Sequence, residues 1–396
     1  MNLTLAWSTP TMLLYIVMGL IGALCIKYNS ASLKYKKLSR KCISAPYIFL
    51  FFTWVAFAVF RLVRYPIGGA DAAAYARYFV NCFHPVGDWE TNHIDIMYRW
   101  LNQCVRIFTD DYHVMFFLIY AIIVISYIAF IEEFRISEMS CIPFVILVYI
   151  YIRGFNTIRT NLGVACVLFS LIAMHRKRNK IAFVFAIISV LFQVASLLYA
   201  AVVLFYYLNK EKNVRIRSCV IGLFFASFAA RLGQYIILNY QLPFLKNGAY
   251  RWYASISSGQ SFFGNYWKIA FPQIVMGGIY FVLYKRLQIA KEEMKPCDRD
   301  KVQFVEWVII FDVLTIPVTF VLSIWRGYEY LYIARLMMWA YLIPIIMRCF
   351  TKQSRKYIHI GLFIMFVGWM IFRQYNTWED SGLMPYIFEP FYELIS

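Results

Sequence analysis

Charge is scarce in this sequence. Only 15% of the 396 residues are Asp, Glu, Lys or Arg, while 62% are hydrophobic and the mean hydropathy is +0.60. A soluble core under a charged surface is excluded, since such domains carry roughly 25% charged residues. Alternation of apolar and polar residues is missing from the long hydrophobic stretches, so they do not read as strands of a membrane barrel. The nine cysteines include no CxxC spacing and no Cys/His cluster, which leaves neither a zinc site nor a disulfide framework. Met1–Ile26 lacks a basic leading region and an A-x-A site, so the first hydrophobic stretch is expected to direct insertion without cleavage. The two halves share no matching pair of Gly/Pro-broken segments, so transporter-like inverted repeats are not visible.

What is present is a succession of apolar runs. Thr11–Ile26, Ile43–Phe60, His113–Ile131 and Ile181–Tyr207 are long enough to cross a ~30 Å hydrocarbon layer, which takes ~20 residues of helix. Only helices or closed barrels satisfy their backbone there. The expected fold is therefore all-α, a polytopic transmembrane bundle forming a single integral-membrane domain over 1–396. The formal net charge of +18 does not point to nucleic acid, because about 25 of the 39 Lys and Arg fall in 27–41, 132–139, 175–180, 209–217, 285–302 and 348–356. Short basic loops of this kind mark the cytoplasmic side, and membrane lipid is the implied surrounding. Alternation then gives about twelve spans with both termini outside. They fall at 10–26, 43–60, 112–131, 141–154 and 158–174, then 218–238, 268–284, 303–325, 332–347 and 357–372. Between them 181–208 must leave and return with ~14 residues per leg, which predicts a re-entrant or broken pair bent near Gln193. The external segments are 61–111 and 239–267.

The basic residues outside those loops are nearly all Arg, and they sit where chemistry is expected. Arg61 and Arg64 precede Gly68-Gly69 and Asp71. Two glycines feeding a helix start can present backbone N–H groups to an anion, or Asp71 can cap that helix. Asn92–Phe108 reads as an amphipathic helix with Ile94, Tyr98, Leu101, Val105 and Phe108 on one face and Arg99, Asn102, Gln103 and Arg106 on the other. Arg153, Asn156, Arg159 and Asn161 cluster at a reversal on the membrane boundary, where the planar guanidinium fork suits phosphate. Arg326 to Arg335 repeats the pattern, with Glu329 a partner for Arg335. Glu306 and Asp312 lie within a span and need a cavity or a mate, Arg231 being one option. Trp89, Tyr98, Tyr250, Trp252 and Tyr253 can stack on sugars or belong to the interfacial aromatic belt. His84, His93 and His113 have no evident partner.

Three local patterns resemble the EpsG/Wzy type of polysaccharide polymerase, which makes O-antigen, capsule or exopolysaccharide. They are Gly69-Ala70-Asp71-Ala72-Ala73-Ala74-Tyr75, Glu90 followed by Tyr98 and Leu101, and Phe155-Asn156-Thr157-Ile158-Arg159 with Gly163 beyond; Met384-Pro385-Tyr386 is a weaker fourth. The resemblance implies a glycosyltransferase of the bacterial cytoplasmic (inner) membrane, active on its outer face. Two undecaprenyl-diphosphate-linked oligosaccharides would meet there, with a Wzz-type chain-length regulator as a partner. No cofactor and no metal are expected. Arg159 is the first choice for holding diphosphate, then Arg153, Arg335 and Arg64. Asp71 or Glu90 is expected to accept the proton, and Tyr75, Tyr98, Asn156, Gln193 and Tyr328 complete the expected substrate contacts. The chain departs from the family where Phe192-Gln193-Val194-Ala195-Ser196 replaces a frequent Phe-His-x-Ser-Ala and where Thr160 replaces Gln. A lipid-linked-oligosaccharide flippase and an O-antigen ligase-like transferase are the alternatives.

Overall fold

The computed structural model describes residues 5–35, 44–84, 94–210, 216–239, 266–321, 329–390 and 392. Among them the regular structure is helical, as the apolar runs require, and the β pairings are isolated bridges, Arg61 with Phe388 and Arg64 with Ile67. Helices α1 (Thr9–Tyr35) and α2 (Ala45–Val59) lead into two short ones, α3 (Ala72–Val80) and α4 (Ile96–Arg106). Helix α5 (Tyr112–Glu133) follows, then a 3-10 turn (Ile142–Ile146) running into α6 (Leu147–Arg153), and α7 (Ile158–His175). The pair α8 (Asn179–Phe192) and α9 (Ser196–Asn209) precedes α10 (Ile216–Asn239) and α11 (Tyr266–Glu293). Helix α12 (Pro296–Leu314) continues after a one-residue break as α13 (Ile316–Val321), and α14 (Tyr332–Arg348), α15 (Lys352–Tyr375) and α16 (Trp378–Ser381) complete the order.

Among the described residues five helices are long and apolar enough to cross a membrane: Thr9–Asn29, Tyr112–Glu133, Ile158–His175, Ser218–Ile236 and Lys352–Tyr375. Four further apolar helices are shorter: Ala45–Val59, Ile142–Arg153, Asn179–Phe192 and Ser196–Asn209. Helix α7 is the inner element, with 83% of its apolar window buried, whereas α10 buries only 17% and exposes Phe224, Phe225 and Phe228. The run 181–208 is interrupted where its length demanded. The α8 helix stops at Phe192, Gln193 is extended, and the Ser196 N–H closes the turn on the Gln193 carbonyl at 2.8 Å.

The basic loops at 132–139, 175–180, 285–302 and 348–356 gather at one end of the bundle, held there by ion pairs. Arg135 meets Glu132 at 2.8 Å, His175 and Arg176 meet Glu133 at 2.7 and 2.5 Å, and Arg348 reaches both Glu138 and Glu293. The opposite end carries α3, α4, the α6–α7 reversal, the α8–α9 break and the segment after α15. That last segment is a strap laid across the ends of α1 and α2. Tyr15 donates its hydroxyl to the Leu383 carbonyl, the Tyr386 N–H reaches Thr11 Oγ1, and Leu62 N–H and Glu389 N–H bond Ile387 and Phe60 carbonyls.

Three expectations change. The buried stripe of α4 is Tyr98, Asn102 and Val105, so Asn102 turns inward and donates to the Tyr98 carbonyl, while Phe108 lies past the helix end and is 87% exposed. Glu306 pairs with Lys291 at 2.7 Å and Asp312 with Arg335, because both carboxylates face their neighbours in the α11–α14 group; Arg231 instead donates to Gln234 on its own helix. Glu329, preceding α14, meets Arg153 at the α6–α7 reversal, while Arg335 is taken by Asp312. Residues 240–265 of the second external segment, with Tyr250, Trp252 and Tyr253, lie outside the described residues, as do Trp89, Glu90, His93, Arg326 and Tyr328.

Native cysteines at the two ends make the orientation testable, since Cys104 on α4 and Cys297 beside the basic loops are both exposed. With the other cysteines replaced, an impermeant maleimide applied to intact cells should label a protein retaining only Cys104. A protein retaining only Cys297 should label after lysis alone, and the reverse result would invert the outward face.

Candidate functional site

The reversal between α6 and α7 is the centre of the end opposite the basic loops. It is a tight turn, with Asn156 N–H on the Arg153 carbonyl at 3.1 Å and Thr157 N–H on the Gly154 carbonyl at 3.2 Å. The loop before α3 lies directly on it. A Cβ at Gly69, whose φ is +109°, would stand 2.9 Å from the Phe155 carbonyl oxygen, so only glycine permits this approach. Asn156 Oδ1 accepts the Asp71 N–H at 2.7 Å and ties the two loops together. The glycine loop does not form an anion nest. Its Gly69 and Ala70 N–H groups donate to the Gly382 and Ser381 carbonyls of the strap, at 3.0 and 2.9 Å. Nor does the Asp71 side chain cap α3, since no cap hydrogen bond forms there.

Arg159 occupies the first turn of α7, and its Nη1 lies 2.7 Å from Asp95 Oδ2. Its Nε is 3.4 Å from the Tyr75 hydroxyl, and the guanidinium lies 5.9 Å from that ring's centroid. Tyr75 in turn meets Tyr98 edge-on, and Tyr78 stacks on Tyr98, so three buried tyrosines of α3 and α4 wall the guanidinium. Asp95 immediately precedes α4 and also accepts the Val194 N–H from the α8–α9 break. Burial pushes the Asp95 carboxyl above the usual carboxylate range, against the opposing pull of Arg159 and of that N–H. The break therefore belongs to the site through its backbone.

A second layer backs the reversal. Glu329 is buried, accepting from Arg153 Nε at 3.3 Å and from the Thr157 hydroxyl at 3.4 Å. Tyr330 stacks on Tyr199 at 4.6 Å and bonds the Ser196 hydroxyl at 2.7 Å. Gly163 makes room for this contact, since a Cβ there would lie 2.6 Å from Ser196 Oγ. At the helix break, Gln193 Oε1 is among the buried polar atoms with no hydrogen-bond partner among the described residues. Such groups are costly unless a ligand or water completes them.

The sequence-derived residues thus divide. Asp71, Tyr75, Tyr98, Arg153, Asn156, Arg159 and Gln193 belong to this linked cluster of loops and helix ends. Arg64 lies on the far side of α3, donating to the Tyr392 hydroxyl at 3.2 Å. Arg335 is 2% exposed, and its Nη1 holds both Asp312 oxygens at 2.7 and 2.8 Å. Glu90 and Tyr328 lie outside the described residues. Asp95 was missed, because it stands one residue ahead of a helix and no periodicity shows which way it faces. His113 does have partners: Asp111 at Nδ1 and Glu389 at Nε2, 2.7 and 2.8 Å away. Both ring nitrogens are occupied, so the group clasps the strap to α5.

Residues 44–388 match the sequence profile of the EpsG family. The chain belongs to that family. Membership, with the apolar helices, points to polysaccharide biosynthesis at a membrane by a glycosyltransferase-like polymerase, an enzyme class that acts on lipid-linked oligosaccharides. No curated protein and no solved structure matches the chain.

The Asp95–Arg159 pair is open to a double-mutant cycle. Asp95→Asn and Arg159→Gln should each lower the melting temperature in detergent, and the double variant should lose less than their sum. A coupling of about 1–3 kcal/mol is expected, and simple additivity would show that the pair holds nothing together.

Proposed function

We propose that this protein joins undecaprenyl-diphosphate-linked oligosaccharide repeat units at the outer face of the bacterial cytoplasmic membrane. In this reading it is a multi-pass protein of about twelve crossings whose Arg159 end faces outward, and a Wzz-type regulator of chain length is its partner. The observation that carries the proposal is the Arg159 guanidinium. It is a mostly buried cation at the end opposite the basic loops, held by Asp95 and lying against the Tyr75 ring.

The chemistry follows from charge. A hydroxyl oxygen of the acceptor unit attacks the anomeric carbon of the growing chain and forms the new glycosidic bond. The bond from that carbon to the diphosphate oxygen breaks, and its electron pair leaves with undecaprenyl diphosphate. Negative charge builds on the leaving oxygen, and a fixed donor there contributes about 3–4 kcal/mol in a site that excludes water. Arg159 is suited to this by its planar fork, and the positive end of the α7 dipole adds to it. Thr157 leaves that helix start without a side-chain cap. In the resting state Asp95 holds the guanidinium in place, and diphosphate competes for it. Arg153, neutralised by Glu329, braces the reversal, and Arg335 braces α14 through Asp312.

The acceptor's proton goes to a carboxylate of the first external segment, Asp71 ahead of Glu90. The absence of a cap bond at Asp71 supports this role over the structural one. Its backbone bond to Asn156 places it on the loop that packs against the Arg159 turn. Tyr75 and Tyr98 supply aromatic walls, and Gln193 supplies an amide at the helix break.

Reconstituted protein given lipid-diphosphate-linked repeat units should build a polymer ladder. Arg159→Ala should reduce the rate by about 10²–10³-fold, and Arg159→Lys should recover little, since it restores charge without the fork. Full-length polymer at parental yield from well-expressed Arg159→Ala would overturn the assignment.

Asp71→Asn tests the base role, because Asn keeps the size of the side chain and an accepting oxygen but takes no proton. Activity should fall by about 10²-fold or more, the scale of general-base catalysis, at unchanged abundance and melting temperature. Parental turnover would move the base to Glu90 or elsewhere.

A further inference from the structure

Helix α3 has two faces with different duties. Tyr75, Tyr78 and Phe79 are buried towards α4 and the Arg159 cluster. The opposite face lines an open-mouthed cavity of about 790 Å³, between α3 and residues 63–65. Its floor is methyl groups, Ala73 and Ala74 among them, which leave space for a flat ring to approach the helix. Tyr65 and Tyr112 are among the lining residues, as are two arginines, Arg64 and Arg77. No carboxylate is among the lining residues described. Arg77, one turn beyond the alanine floor, is exposed.

This lining is held in place from outside. Arg64 donates to the Tyr392 hydroxyl at 3.2 Å, and Tyr112 donates to Glu389 Oε1 at 3.0 Å. Glu389 is fixed by His113 and by its own N–H on the Phe60 carbonyl at 2.9 Å. The strap therefore presets a slot lined by arginine and tyrosine, and its size is that of sites built for small molecules or short oligomers. Two arginines with no carboxylate among the described lining favour an anionic planar group, and a sugar carboxylate fits that description.

We propose that this cavity is a second subsite, on the far side of α3 from Arg159, which binds the glycan chain through a sugar bearing a negative charge. The inference rests on the polymerase reading for its biological sense, but its test does not. The full chain in phosphatidylcholine nanodiscs is titrated with two probes, an oligogalacturonate hexamer and neutral maltohexaose, by calorimetry. The acidic hexamer should bind at least about tenfold more tightly than the neutral one, as charge-assisted pairing predicts. Arg77→Gln should weaken it by about tenfold through loss of the fork. Ala74→Phe, which fills the floor and removes no charge, should abolish binding, while Arg159→Ala should leave it unchanged. Inorganic pyrophosphate should compete weakly here and depend on Arg159 for its own binding.

Equal binding of both hexamers would overturn the proposal, as would parental affinity in both Ala74→Phe and Arg77→Gln. Displacement of the hexamer in phosphatidylcholine nanodiscs by an equal concentration of soluble glycerol phosphate would overturn it in favour of a lipid-headgroup site. The two readings fail separately. Hexamer binding by a protein that builds no polymer ladder would leave the subsite standing and remove the polymerase. Ladder formation without hexamer binding would do the opposite.

Discussion

An unpaired charge inside an apolar bundle is heavily penalised, and the deep charges of this chain are arranged to avoid it. Arg335 meets Asp312, Lys291 meets Glu306, Arg153 meets Glu329 and Arg159 meets Asp95. Removing one partner of a fully buried pair costs about 3–5 kcal/mol, whereas the intact pair adds little net stability. The pairs therefore act as constraints on geometry more than as glue. The first two lock α11, α12 and α14 to one another. The other two fasten segments from distant parts of the sequence, residue 95 and residue 329, onto the single reversal between α6 and α7. Arg61 is handled differently, lying over Phe116, Tyr120 and Phe155 and donating to the Gly68 carbonyl.

Because that reversal is approached from several directions, its backbone groups are used up in structure. Gly69 and Ala70 spend their N–H groups on the strap, and Asp71 spends its own on Asn156. What the described residues leave uncommitted by backbone bonding is side chains: the Arg159 guanidinium on Asp95, and the Gln193 amide oxygen at the helix break. A site of this composition binds anions by charge and fork geometry, and the backbone cradle common at glycine-rich helix starts plays no part in it.

The helices were legible because length and hydropathy constrain a chain in lipid more than any propensity does. Even the break after Phe192 followed from arithmetic, since 181–208 lies between two basic loops and is too short to cross twice as full spans. Arg159 and Asn156 were legible from their concentration at a chain reversal. Their partners were not. Which carboxylate meets which guanidinium depends on how each helix is rotated about its axis. A rotation of α4 that buries Asn102 in place of Leu101 and Phe108 is a small change in pattern and a large one in contacts. The strap was equally hidden. Residues 381–392 follow the last long helix and carry no periodic signal, yet they satisfy backbone groups of the loop that positions α3.

That dependence gives α3 its place in the architecture. The helix is only nine residues long, too short to hold itself in water or at an interface. It is fixed on one side by stacked tyrosines and at its start by Asn156 and the strap. One face then closes the Arg159 cluster while the other, lined with alanine, stays open. In the reaction proposed above a leaving diphosphate is held tightly while a growing glycan slides past, and these demands conflict within one pocket. A thin, externally braced helix separates them, with a buried cation behind it and an accessible, shallow slot in front.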